Sequence, residues 1–449
     1  MTEKTTQDFA NNSSQPALRE GLRLEKLGME FQADGQPTEK TVGLIRAMRA
    51  GFHEKQPSQE EMRRKAVALS KDSLEFIAVY DDAFHEAEEF SYPGPYPIST
   101  FGHYEKSFNV GGESLIPAHL ITEVTVAATH RRQGILSAMM RESLETAVAA
   151  DRPVALLTAS ESVIYGRFGF GIATRAAKYE LSTARGLGFK APRVGTVSNV
   201  DPSKIGDVAA EIFAAYHAAT PGSVDRQSSY REYKTGAWSD DITMPNKSLR
   251  ALIYRGESGA PEGLATYAFN GWGWKPPTVS IRNLVAASDT AERELFRYLT
   301  NMDLIEKVVW PKGPVDTALF HALEDSEALG TVSVGHDLWV RVLDVPRTLS
   351  SRSWLRDGTF SLSVQDSLDY AAGFYVVSVL DGVATVSLES GDERQADMSL
   401  DISALGSLLL GEVSISQLVR AGLVSVAGSV RELDMMWSTL RRPFCSTGF

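Results

Sequence analysis

The sequence predicts an α+β chain made of three successive mixed units, and three observations carry that expectation. Its 449 residues are roughly three times the length of a common domain. Short β-branched runs alternate with stretches of helical spacing through the first two units. The remainder opens on strands around a favoured hairpin turn and then changes to helical spacing.

Composition narrows the function classes. With 43% apolar and 23% charged residues the chain is globular, neither a disordered chain nor a membrane protein. No run reaches the roughly 18 apolar residues of a membrane span. A single cysteine, Cys445, excludes an intrachain disulfide framework and a multi-thiolate zinc site, and it suits a reducing, cytoplasmic setting. Eight scattered histidines show no ligand spacing, so no metal is expected. Lys and Arg number 45 against 57 Asp and Glu, a net charge of −12 that disfavours nucleic acid and favours cationic small molecules.

Residues 1–24, rich at the start in Thr, Gln, Asn and Ser, read as a mobile tail without the charge and apolar pattern of a Sec signal peptide. In a first domain over 25–183, Val42 to Phe52 and Glu60 to Leu69 have helical spacing, and Phe76 to Tyr80 is a strand. Tyr96 to Val110 holds two strand-like pieces around Gly102. His119 to Val126 is a strand, His130 to Gly134 a basic turn, and Leu136, Met139, Met140, Leu144 and Ala147 mark an amphipathic helix. Pro153 to Thr158 reads as a buried strand, Ser162 to Phe168 as a short helix, and Ala176 to Leu181 as the closing strand. A second domain over 184–344 carries a faint repeat, in which Val285-Ala286-Ala287-Ser288 matches Val126-Ala127-Ala128-Thr129. In that register Arg293 stands where Gly134 stands, filling a place that a bound phosphate would need bare. In the third domain, 345–449, Phe374 to Leu380 and Val383 to Leu388 flank the Asp381-Gly382 turn, and two helices follow.

The basic turn carries the chemistry. Free N–H groups and the positive end of the helix dipole attract a pyrophosphate at a helix start, Gly134 allows close approach, and Arg131 or Arg132 adds charge. A basic helix start on a plain surface would show the same residues, although acids normally prefer that position. The G-x-x-G-x-G of Gly166, Gly169 and Gly171 reverses the dinucleotide fingerprint and is discounted as a phosphate site.

These motifs, in order, look like the enhanced intracellular survival (Eis) family of Gcn5-related N-acetyltransferases (GNAT). The match is carried by Val124/Val126, Thr129 to Leu136, Ala159-Ser160-Glu161, Ile164 to Gly171 and a terminal Phe449. The resemblance implies two tandem GNAT-like domains, the second degenerate, followed by a sterol-carrier-protein-like domain. It implies an acetyl-CoA-dependent N-acetyltransferase acting on amines of polycations such as aminoglycosides, and a homohexamer. By the same resemblance Val124, Thr125, Val126, Arg131, Arg132, Gln133, Gly134, Ile135, Leu136, Ser137, Ser160 and Glu161 contact acetyl-CoA. Tyr165 is then the general acid and the Phe449 carboxylate the general base, delivered by the third domain acting as scaffold. Thr158 departs from the histidine of many relatives, so any role of that imidazole is absent.

The chemistry demands a neutral amine, donors for an oxyanion and a proton for the leaving thiolate. A phenol near pKa 10 protonating a thiolate near 8.5 works uphill by about 2 kcal/mol unless the site adjusts it. A tyrosine on a short helix commonly packs through its ring, and a terminal carboxylate commonly frays. Glu123, beside the strand expected to carry the acetyl group, is the acid expected to face a cationic substrate. The alternative is a non-catalytic acyl-CoA or lipid-binding protein, with Leu405 to Leu410 lining a groove.

Overall fold

The computed structural model describes residues 18–82, 90–159, 162–183, 186–239, 244–390 and 396–449. Strands β1 (Leu22–Leu27), β2 (Glu75–Asp81), β3 (Ser99–Phe108), β4 (Ile116–Val126), β5 (Val154–Thr158) and β6 (Gly171–Ile172) come first. They are followed by β7 (Arg175–Ser182), β8 (Thr196–Val200), β9 (Leu249–Arg255), β10 (Pro261–Phe269), β11 (Thr278–Ala286), β12 (Lys307–Gly313), β13 (Leu329–His336) and β14 (Leu338–Val342). The last five are β15 (Gly358–Gln365), β16 (Gly373–Leu380), β17 (Val383–Glu389), β18 (Met398–Asp401) and β19 (Val424–Val426). Three sheets result, ordered β1-β2-β3-β4-β5-β14-β6, β13-β7-β12-β11-β10-β9-β8 and β17-β16-β15-β18-β19.

The first sheet is a filled sandwich. Helices α1 (Glu39–Gly51) and α2 (Gln59–Lys71) cover one face, started by Thr38 and by a Ser58–Glu61 capping box. Leu44, Ile45, Met48, Met62 and Leu69 pack there on Phe76, Leu120 and Leu156. Helix α3 (Ile135–Ala149) covers the other, setting Ile135, Met139, Met140 and Leu144 on Ile77, Phe101 and Ile121. β1 is the edge strand of this sheet, so its residues from Leu22 onward belong to the first unit and not to a tail.

Two strands are exchanged between units. The run Ala176 to Leu181, expected to close the first domain, pairs instead with β12 and β13 in the second sheet. Its place is taken by β14, which lies between β5 and β6. The reason is burial: every residue of β14 is buried, so it needs neighbours on both edges and cover on both faces. β6, with two residues, cannot close the sheet alone.

Two features of β4 shape the site. The β3/β4 register passes from Thr100↔Thr125 to Gly102↔Thr122, so Phe101 opposes both Glu123 and Val124 across a bulge. Glu123 takes φ 53° there, an unusual conformation for a residue with a side chain. The region expected to hold two strands around Gly102 is thus one strand facing a bulge. The parallel β4/β5 pairing stops at Ile121↔Leu157, while β4 runs on to Val126, leaving the two strands splayed. The second sheet repeats this motif: β11 and β12 pair in parallel only from Thr278↔Lys307 to Ser280↔Val309.

In the third unit the expected hairpin forms with Leu380↔Val383 across Asp381 and Gly382, at φ 52° and 77°. Its helix Ile402–Leu408 lies against β14 and β6 so closely that a Cβ on Gly171 would meet the Ser403 carbonyl at 1.9 Å. That glycine therefore serves packing. Leu405, Leu408, Leu409 and Leu410 are buried in the shared core, so the run considered as a lipid groove is spent on packing. No helix among the described residues is long and apolar enough to cross a membrane.

Candidate active site

The turn between β4 and α3 has a backbone suited to an anion and is called the cradle. Arg132 at φ 63° and Gly134 at φ 78° take left-handed conformations on either side of Gln133. The first main-chain bond of α3 runs from Ala138 N–H to Gly134, so the N–H groups ahead of it, those of Ile135, Leu136 and Ser137 included, lack helical acceptors. His130 anchors the turn from beneath: its Nδ1 meets Thr129 Oγ1 at 2.8 Å and its Nε2 meets Asp81 at 3.1 Å. Arg131 and Arg132 are exposed at the lip, and Gln133 Oε1 is buried without a partner. Val124, Thr125 and Val126, only half-buried, line the splay beside this turn. Ser160 and Glu161, expected to share the site, lie outside the described residues.

At the far side of the splay stands the end of the chain. Thr158, the last residue of β5, donates its hydroxyl to the Phe449 main-chain oxygen at 2.5 Å. The position that departs from the expected histidine therefore has a partner of its own. The Phe449 ring meets Tyr104 edge-on with centroids 6.5 Å apart. The last residues are held by the second unit, although the third was expected to deliver them. Tyr230 Oη donates to the Ser446 carbonyl at 2.7 Å and Gln227 Nε2 to the Gly448 carbonyl at 2.9 Å. Thr447 Oγ1 donates to the Val224 carbonyl at 2.7 Å, and Lys312 Nζ reaches the Thr447 carbonyl at 3.3 Å. Cys445 is wholly buried and its thiol is pushed up to about 11 by burial, which leaves it a neutral packing group.

Tyr165 closes the short helix α4 (Ser162–Tyr165), half-buried, with its ring edge-on to Phe170 at 6.3 Å. Glu123 projects from the bulge to Lys65 of α2, Nζ to Oε1 3.4 Å. His119 faces neither group: it stacks on His103 at 4.8 Å and meets Ser143 Oγ at 2.8 Å. Burial first, then His103 and Arg152, lower its pKa to about 3, so it stays a neutral core residue and no base. Sequence reasoning missed Tyr104, Gln227 and Tyr230, and it marked Thr158 only as a departure from histidine, not as a partner of the terminus. Thr158 and Phe449 are 291 positions apart, and no local pattern announces such a pair.

Two separate acetyltransferase (GNAT) domain families match, one over residues 36–173 and another over 222–342, and a sterol carrier protein domain family matches 345–446. An uncharacterized N-acetyltransferase of Streptomyces griseus is 33% identical over 364 residues, covering 78% of this chain and 86% of that protein. N-acetyltransferase Eis of Mycobacterium tuberculosis is 29% identical over 364 residues, covering 77% and 84%. The crystal structure of Eis1 from Mycobacterium abscessus superposes with a TM-score of 0.76 at 25% identity, covering 95% of this chain and 100% of that one. The chain belongs to the Eis family of GNAT N-acetyltransferases. It is an acetyltransferase, and its GNAT fold implies acetyl-CoA as donor. The cradle fits such a donor: it offers free N–H groups and arginines to a pyrophosphate, and the buried, unpartnered Gln133 Oε1 to a donor group.

In this Eis-family chain the second GNAT unit has lost the cradle outright. Two residues, Ala287 and Ser288, link β11 to helix α7 (Asp289–Leu299), where residues 127–134 link β4 to α3. Arg293 consequently lies inside α7 and pairs with Glu294, so it does not occupy the place of Gly134 as expected. Ser288 caps α7, and Asp289 and Glu292 fill its first turn, a start that repels phosphate.

Proposed function

We propose that the chain transfers the acetyl group of acetyl-CoA to a primary amine of a cationic small molecule, the aminoglycosides being the class implied by family resemblance. In this reading the pyrophosphate rests on the turn Arg131 to Ser137, and the acetyl end lies along Val124, Thr125 and Val126. Ser160 and Glu161 complete that binding set. The amine attacks the thioester directly, the Phe449 carboxylate accepts its proton and Tyr165 returns one to the leaving thiolate. The observation that carries the reading is the terminal carboxylate fastened to Thr158 at the mouth of the splayed strands, since a fraying terminus would make no such bond. Assembly into a homohexamer is part of the same proposal.

The test is a thiol-release assay on full-length protein whose last residue is amidated by ligation of a synthetic tail. The amide keeps the phenyl ring and removes the charge. Turnover on the best amine of a panel should fall by about a hundredfold or more, the scale of a lost general base, with acetyl-CoA affinity retained. Tyr165→Phe should lose turnover in the same way. Wild-type rates for the amide would remove Phe449 from the mechanism.

A further inference from the structure

The parallel pairing of β11 with β12 ends at Ser280↔Val309, and the residues just beyond it, 281–284 and 310–312, wall a cavity of about 180 Å³. Its charge is one-sided. Lys234, Arg282 and Lys312 line it, and among the described residues no acid does, in a chain whose net charge is −12. Lys312 is balanced by Asp337, which bonds it at 2.9 Å and is not part of the lining. Lys234 gives one N–H to the Arg282 carbonyl at 2.8 Å and lies 4.9 Å from the Tyr230 ring centroid. Neither Lys234 nor the exposed Arg282 has a carboxylate partner among the described residues. Asn283 adds a donor: Arg226 bonds its Oδ1 at 2.9 Å, which fixes the amide and leaves Nδ2 without a partner among the described residues. These polar groups share the cavity with Trp310, Tyr230 and Leu284. The tail supplies the last wall, Ser446, whose carbonyl accepts from Tyr230 at 2.7 Å and whose hydroxyl Arg226 reaches at 3.4 Å. A cavity of about 150 Å³ holds a benzene ring, so this one has room for a ring carrying a carboxylate.

We propose that the splay of the second unit is a binding site for a small aromatic carboxylate, with the anion on Lys234, Arg282 and the Asn283 amide and the ring against Trp310. Having no cradle for a pyrophosphate, this unit leaves its splay open to a free small molecule. The charges at the mouth are solvent-accessible, and they exclude the cationic acceptors expected in the first unit. An occupant that needs the Ser446 wall binds only while the tail is docked, and it therefore stabilises the docked tail by mass action. The site thus regulates how firmly the segment ending in Phe449 is held. It does not depend on the amine acetylation proposed above.

The test titrates sodium benzoate into the full chain by calorimetry, with benzamide, similar in shape and uncharged, as the comparison. Benzoate should bind about tenfold tighter or more, the scale of hydrogen bonds to a charged group. Lys234→Met should weaken benzoate about fivefold, as expected for a partly exposed charge pair, and leave benzamide unchanged. Hydrogen exchange of residues 443–449, read by mass spectrometry, should slow about fivefold in saturating benzoate. Equal affinities for the two probes overturn the site. Benzoate binding that is indifferent to Lys234→Met, or that leaves exchange in the tail unchanged, overturns it as well. Arg282→Gln, on an exposed side chain, repeats the measurement should Lys234→Met fold poorly. Neither readout needs turnover. A chain that binds benzoate in this way and acetylates no amine keeps the site and loses the function proposed above, and turnover without preference for benzoate does the reverse.

Discussion

At position 158 a hydroxyl bonds the end of the chain, supplying one donor to the Phe449 main-chain oxygen. On the mechanism proposed above, Thr158 is a positioning residue: it bonds Phe449, and through it would act on the proton that the carboxylate accepts. A hydrogen bond to a charged group contributes about 1.5 to 3 kcal/mol, so Thr158→Val should lower kcat/KM by about ten- to a hundredfold. Thr158→Ser should recover most of it. The conservative pair distinguishes the hydroxyl from mere bulk, because valine keeps the shape and serine the bond. Equal activity of the valine variant and wild type would mean that the clamp from the second unit holds the terminus unaided. The sequence marked this position only as a lost histidine, since a contact between β5 and the last residue leaves no trace in local spacing.

Local spacing did reveal the elements that obey local rules. The Asp381-Gly382 hairpin, the stripe of Leu136, Met139, Met140 and Leu144, and the arginine–glycine turn were all legible because each arises from residues a few positions apart. The exchange of β7 and β14 was not. A strand such as Ala176 to Leu181 has the same alternation in either sheet, and only the long-range pairing of β14 with β5 decides its partners. The repeat was visible, but the deletion that shortens the β11–α7 link was hidden by an ungapped register. That deletion makes a prediction at this scale. Calorimetry should find one acetyl-CoA per chain, and Arg132→Ala should weaken it by about 1.5 to 3 kcal/mol, since only the first unit has a cradle. Two equivalent sites would contradict a degenerate second unit, and an unchanged affinity would remove Arg132 from the cradle.

Across the whole molecule the three units converge on the last residues. The third unit is fastened beneath the Tyr165 motif by a fully buried pair, Arg341 bonding both Asp366 oxygens at 2.7 and 2.6 Å and the Phe168 carbonyl at 2.8 Å. From there the chain runs back along the second unit, whose sheet, having no cradle, still opens beside β11 and β12. A cavity of about 180 Å³ there is lined by Tyr230, Asn283, Trp310, Lys312 and the tail's own Ser446. The second GNAT unit has kept the splayed architecture and holds a polypeptide tail beside it. If that clamp keeps Phe449 against Thr158, loosening it should free the terminus without touching the first unit. Tyr230→Phe combined with Gln227→Ala removes two donors to the tail, each contributing about 0.5 to 1.5 kcal/mol, so tail release should become about tenfold more frequent. Carboxypeptidase reads this directly, since it cleaves only a freed end. Phe449 should be lost from the double variant about ten times faster than from wild type, and acetyl transfer should decay at the same rate as Phe449 appears in solution. Equal release rates would mean that Thr158 and the Tyr104 ring, both in the first unit, hold the terminus by themselves.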